Sequence, residues 1–177
     1  MEDSRMVDES LIELHKILER MIGLHRQMLE TVRMERNSIA AADVSGIQEA
    51  ALAKEGIIAA IRQQESERLK TIAVMALKSR RKISDLTMNV LVLETQEVDA
   101  GFSEQLRSTF AALVMLIDRV LEQNDHNKAV VEKSLEHVRN MKANILRESV
   151  PRSGTYSSSG QKVGGRHGEA RMFSQEI

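Results

Sequence analysis

A chain of 177 residues is long enough for one domain with a core, and its composition is neither collagen-like nor that of a wholly disordered protein. With no cysteine, disulfides, thiolate metal ligands and thiol catalysis are excluded, and a reducing cytosol fits. A formal net charge of −1 gives no broad field to attract a phosphate backbone, so nucleic acid is not an expected partner.

Tryptophan is absent, the aromatic side chains are Phe102, Phe110, Phe173 and Tyr156, and the lone proline is Pro151. Strand formers are therefore scarce, and helix breakers are nearly missing before Pro151, which predicts long helices rather than sheets. The opening MEDSRMVDES is acidic and leads into no short apolar segment, and no stretch reaches about 18 uncharged apolar residues. A soluble, cytoplasmic protein without direct membrane insertion is expected.

The first helix is marked by Leu11, Leu14, Leu18, Met21, His25, Met28 and Val32, which step by three and four as an a/d seam does. Ile17, Ile22, Leu24 and Leu29 widen the stripe, which suits a helix packed against two neighbours in a bundle. The segment from Ala40 to Gly46 predicts a turn, with Asp43 or Ser45 as N-cap of an antiparallel second helix. There Ile47, Ala51, Ile58, Ile61, Ile72 and Met75 continue the stripe, but Lys54, Glu65 and Arg68 fall on or beside it. A tightly closed core would resist such charges.

After Leu77 a basic junction, Lys78 to Lys82, precedes Ser84-Asp85, which reads as the N-cap of a short third helix through about Glu97. Continuation of the second helix is the alternative. Gly101 predicts the next break and Ser103 the cap of a final helix of about 45 residues. Its seam runs Phe110, Leu113, Ile117, Val120, Asn124, Asn127, Val131, Ser134, Val138, Met141 and Ile145, with polar residues in the middle. Asn124 and Asn127 either fix register or mark where the bundle opens. From Ser149 onward serine and glycine dominate, so the expected organisation is a helical bundle over 1–148 and a flexible tail over 149–177. The tail is locally basic through Arg152, Lys162, Arg166 and Arg171. The fold class is all-α, an antiparallel bundle of three to four helices.

Patterns that would carry chemistry fail on spacing. Carboxylate-bridged metal bundles place a Glu three residues before a His, yet Ile12, Ile22, Gln123, Ser134 and Gly164 precede the five histidines. His25 sits inside an apolar stripe, as a buried histidine with a hydrogen-bond partner does. His15-Lys16 is the candidate pair for a histidine phosphotransfer bundle, without the usual His-x-x-Lys-Gly arrangement. Ser79 to Lys82 satisfies Ser-x-x-Lys but lacks the companion motifs of that enzyme class. GQKVGGRHG, from Gly160, has neither Walker spacing nor a preceding strand. No catalytic residue, metal site or cofactor is assigned. The ten methionines, among them Met21, Met28, Met75, Met88, Met115 and Met141 on predicted helices, instead suit adaptable apolar packing.

Three stretches together resemble the FlgN family, chaperones that hold hook-filament junction proteins for flagellar type III export. Glu35-Arg36-Asn37-Ser38-Ile39, followed by Ile47, Lys54, Ile58, Ile61, Glu65 and Arg68, is similar to the family's progression across its first helical hairpin. Asn124 and Asn127, with Val130, Val131 and Leu135 after them, are similar to its N-x-x-N and apolar helix. Thr155-Tyr156-Ser157-Ser158-Ser159-Gly160-Gln161 resembles its T-Y-G-x-x-G-Q, with Ser157 in place of the usual glycine. The resemblance implies a client, the C-terminal helical segment of junction proteins, laid into an apolar groove. Val131, Leu135, Val138, Met141, Ile145 and Leu146 are then the expected client surface. It also implies that Tyr156, Gly160 and Gln161 dock the loaded chaperone on the cytoplasmic domain of the export gate. A phosphotransfer bundle using His15, and a client-free coiled-coil subunit, are the alternatives.

Overall fold

A computed structural model describes residues 8–149 of the chain. It contains four α-helices: α1 (Glu9–Ala40), α2 (Val44–Ser79), the short α3 (Met88–Val98) and the long α4 (Ala100–Ser149), with a 3-10 turn at Ile83–Asp85. The chain divides into two compact units, residues 1–132 and residues 133–177. In the described part of the second unit, residues 133–149 are helical.

In the first unit α1 is the central element. Its buried residues, Leu11, Leu14, Ile17, Leu18, Met21, His25, Met28, Leu29 and Val32, are the predicted seam widened by Ile17 and Leu29. A stripe that broad has to be covered from two sides. Its first cover is α2, whose backbone lies close to that of α1 with Ala50 and Ala76 buried. Cross-links between Arg20 and Gln64 (2.9 Å), Glu35 and Lys54 (2.6 Å), and Asp8 and Lys78 (3.3 Å) set the two helices antiparallel. From the other side comes α4, where His15 meets Thr109 and Val32 meets Asn127. The offsets of 94 and 95 residues are nearly constant, so α4 runs parallel to α1 and antiparallel to α2. The result is an up-down-up bundle of the predicted all-α class, with α3 inserted in its second connection.

The core is thick at one end and thin at the other. Around Leu14, Ile17 and Leu18, side chains from every element converge: Ile72 and Met75, Leu86, Leu91 and Val92, and Leu106 and Leu113. Toward the α1–α2 hairpin the buried cluster shrinks to Met28, Leu29, Val32 and Val120, flanked by half-buried Ile57, Ile61 and Leu116. The middle of α2 is correspondingly open. Ala51 and Ile58, expected on its buried stripe, are exposed, and Ala50 is buried instead.

Capping corrects several boundaries. Asp43 is the N-cap of α2, accepting from Gly46 N–H at 3.1 Å, and a methyl group on Gly46 would collide with Ser38 and Asp43. Thr87 caps α3, while Ser84 and Asp85 lie in the 3-10 turn, so the expected Ser84-Asp85 cap is not used. Asp99 caps α4 through Phe102 N–H, which places Gly101 inside the helix rather than at a break. Ser103, expected as the cap, is fully buried, and its hydroxyl donates to the Val92 carbonyl at 2.7 Å, fastening α4 to α3.

Both ends of the hairpin helices close with Schellman pairs of hydrogen bonds. Asp43 N–H donates to Ser38 O and Ala42 N–H to Ile39 O, while Arg81 N–H donates to Ala76 O and Arg80 N–H to Leu77 O. The pivot residues Ala42 and Arg80 have φ of 54° and 53°, the left-handed region usually filled by glycine. Replacing Ala42 by Gly is therefore expected to stabilise the protein by about 0.5–1 kcal/mol, measured by urea unfolding. An unchanged or lowered midpoint would contradict this account of the turn.

Candidate functional site

At the thin end of the core the α1 seam continues through a carboxylate. Glu35 follows Val32 and precedes Ile39 at helical spacing, and its side chain is 13% exposed. A carboxylate so placed needs partners on both sides, since burial of an unpaired charge is costly. From α2, the Lys54 ammonium donates to Oε1 at 2.6 Å. From α4, the Asn127 amide donates to Oε2 at 3.0 Å and to the Val32 carbonyl, also at 3.0 Å. All three long helices of the bundle meet at Glu35. Because both partners of the Asn127 nitrogen are acceptors, the orientation of that amide is fixed. Its Oδ1 is buried and accepts no hydrogen bond among the described residues.

Two adjoining cavities flank this cluster. One, about 400 Å³, is lined by the apolar Met28, Ile58, Ile61, Ile117, Val120 and Leu121 together with the polar His25, Lys54 and Asn124. The other, about 460 Å³, is bounded by Glu35, Ile39, Lys54, Asn124, Asn127, Lys128, Val131 and Glu132. Together they follow the side of the bundle where α2 and α4 face each other. Ile58 and Leu121 there are 40% and 57% exposed. Apolar walls of this kind can accept an apolar partner, and the polar cluster at one end can orient it.

Of the family-pattern positions, Lys54, Asn124 and Asn127 are thus brought together, Asn124 half-buried between the cavities. Glu65 and Arg68 are not part of that cluster. They form a two-pronged pair on α2, Nε to Oε2 and Nη2 to Oε1, each at 2.7 Å. On α4, Val131, Leu135, Val138, Met141, Ile145 and Leu146 have exposures between 38% and 61%, large for side chains of this size. Tyr156, Gly160 and Gln161 lie outside the described residues.

The residues considered for chemistry are placed as structural groups. His15 is not the exposed histidine that phosphotransfer needs: its side chain is 14% exposed, it sits edge-on to Phe102, and Nε2 bonds Thr109 Oγ1 at 3.0 Å. The buried His25 donates Nδ1–H to the Met21 carbonyl at 2.7 Å. The Ser79 hydroxyl donates to the Met75 carbonyl at 2.8 Å. Among the described residues no group of three or more His, Asp or Glu side chains could hold a metal ion, and no helix is long and apolar enough to cross a membrane.

The hydrogen bonds from Arg68 hold the Glu65 carboxyl below its ordinary value of 4.5, against the opposing effect of partial burial. A depressed folded-state value contributes stability above the unfolded value that is lost as pH falls through the folded one. The stability lost on Glu65→Gln, at most about 0.5 kcal/mol for so exposed a helical pair, should be present at neutral pH. Thermal melts should show it vanishing as pH drops below 4.5. A difference independent of pH would contradict the pairing.

The model of the family described as FlgN protein matches residues 6–164. No curated protein and no solved structure matches the chain. The family match covers all of the α1–α2 hairpin, the cluster around Glu35 and nearly the whole of the remaining sequence, so the chain belongs to the FlgN family of flagellar export chaperones.

Proposed function

We propose that this chain is a cytoplasmic chaperone of flagellar type III export whose clients are the hook-filament junction proteins. It binds their C-terminal helical segment, keeps them from associating before secretion, and delivers them to the cytoplasmic domain of the export gate. It makes and breaks no bond.

The observation that carries the reading is the apolar stripe on α4. Val131, Leu135, Val138, Met141, Ile145 and Leu146 recur at helical spacing with large exposed area. An amphipathic client helix laid along such a stripe buries apolar surface at roughly 25 cal/mol per Å², and Met141 adds a side chain that repacks against varied shapes. Membership of an export chaperone family supports the same assignment. Tyr156, Gly160 and Gln161, in a tail over 149–177, are proposed as the separate gate-docking element, apart from the chaperone domain over 1–148. The placement of His15 weighs against the phosphotransfer alternative.

Adding a junction-protein C-terminal peptide to the full chain should raise its melting temperature, because a ligand of the folded state stabilises it by about 2.7 kcal/mol at a hundredfold excess over Kd. Asp substitution of Leu135 and Val138 should weaken binding at least about tenfold, the loss of two apolar contacts. A stable homo-oligomer indifferent to saturating peptide would instead indicate the client-free coiled-coil subunit.

A further inference from the structure

The exposed apolar stripe of α4 is interrupted by a cation. Lys142 follows Leu135 by seven residues and Val138 by four, and it precedes Ile145 by three and Leu146 by four. At about 100° per residue these spacings put all five side chains on one face of the helix. The four apolar members are 51% to 61% exposed, and Lys142 is exposed among them.

The helix offers that ammonium no counter-charge. A helical lysine reaches carboxylates three or four residues away, as Lys128 approaches Glu132 at 4.0 Å. The residues at those distances from Lys142 are Val138, Arg139, Ile145 and Leu146, so one neighbour is a like charge and three are apolar. Among the described residues Lys142 forms no ion pair.

In the free chain this costs little, since the ammonium stays in water while its stem lies over apolar surface. A partner helix covering the stripe removes part of that water. The charge then needs an acceptor, because an unpaired ammonium in an apolar contact is destabilising. Apolar contacts are also non-directional and leave a helix free to slide. One ion pair within the seam fixes register, as polar seam residues do in coiled coils.

The source of the acceptor is restricted. Two copies of the chain paired in parallel along the stripe would set Lys142 beside its own counterpart. Paired antiparallel, they would bring the position of Glu148 to Lys142 only by overlapping the last turns of α4, which leaves Leu135 and Val138 uncovered. Glu132 and Glu136 each follow a stripe residue by one position and so lie about 100° around the helix, away from the contact. The sequence beyond Ser149 is basic through Arg152, Lys162, Arg166 and Arg171. The fitting occupant is another protein's helix bearing a carboxylate.

We propose that Lys142 pairs with a carboxylate of the client, so that the stripe selects an amphipathic helix carrying Asp or Glu within its apolar face and fixes that helix in register. This rests on the reading that the α4 stripe holds a client helix, and it adds the chemistry by which one helix is told from another.

The test is titration calorimetry with the full chain and a junction-protein C-terminal peptide. Lys142→Met should weaken binding about 3- to 10-fold although it enlarges the apolar stripe, and Lys142→Glu at least about tenfold, with melting temperatures of the free variants unchanged. In a peptide set with each Asp or Glu replaced singly by Lys, one member should bind the natural chain poorly and regain affinity for Lys142→Glu. The remaining positions should show no such exchange. Equal or tighter binding by Lys142→Met, or no peptide position that restores binding to Lys142→Glu, overturns the pairing and leaves the chaperone reading intact. Absence of binding to the natural chain overturns both.

Discussion

The fold depends on the need to cover α1 from two sides. Nine of its residues are buried, and they spread over too wide an arc for a single neighbour. Covering this surface brings α2 in antiparallel and α4 in parallel, and α3 is placed where it can close the end around Leu14, Ile17 and Leu18. At 0–1% exposure these three side chains have no access to solvent, and truncating any one would leave a cavity costing about 2–5 kcal/mol. The partners of α1 are held tightly at that end and progressively less so toward the hairpin.

At the other end packing gives way to polar linkage. Glu35 takes one hydrogen bond from Lys54 and one from Asn127, so α2 and α4 are fixed to α1 by groups with defined geometry where apolar contacts have thinned. Such a network adds little net stability compared with a well-packed apolar core, and its attested use is to fix register. For a protein that holds a client this is a useful trade. The helices stay aligned, while Ile58, Ile61, Ile117 and Leu121 keep apolar area that a complete core would have consumed.

Much of the bundle is legible in the sequence because α1 and α4 obey simple spacing. The α1 seam from Leu11 to Val32 is buried as read, Asp43 caps α2, and Leu113, Val120 and Asn127 on the α4 seam are buried. Legibility fails where tertiary contacts override local signals. Gly101 and Ser103 look like a break and a cap, but Asp99 takes the capping role and Ser103 is used to bond Val92. Gly46 looks like the turn itself, yet the left-handed residue is Ala42. In the candidate site, Lys54 and Asn127 could be singled out as charges or amides on apolar seams. Their common partner Glu35 opens the stretch that resembles the family's hairpin pattern, and its role as partner is legible as a carboxylate at the next seam position after Val32, opposite a lysine on the neighbouring helix.

The larger buried cluster surrounds Leu14, Ile17 and Leu18, while toward Glu35 the cluster is smaller and open apolar cavities lie between α2 and α4. Hydrogen exchange of the full chain, alone and with a junction-protein C-terminal peptide, tests this difference most directly, because exchange reports local opening along the helices. In the free chain, amides around Leu14 to Met21 should be the slowest to exchange, and those at 54–61 and 117–131 clearly faster. Peptide should slow the second group and leave the first unchanged. Uniform protection along α1, α2 and α4 in the free chain, with no segment slowed by bound peptide, would contradict the account.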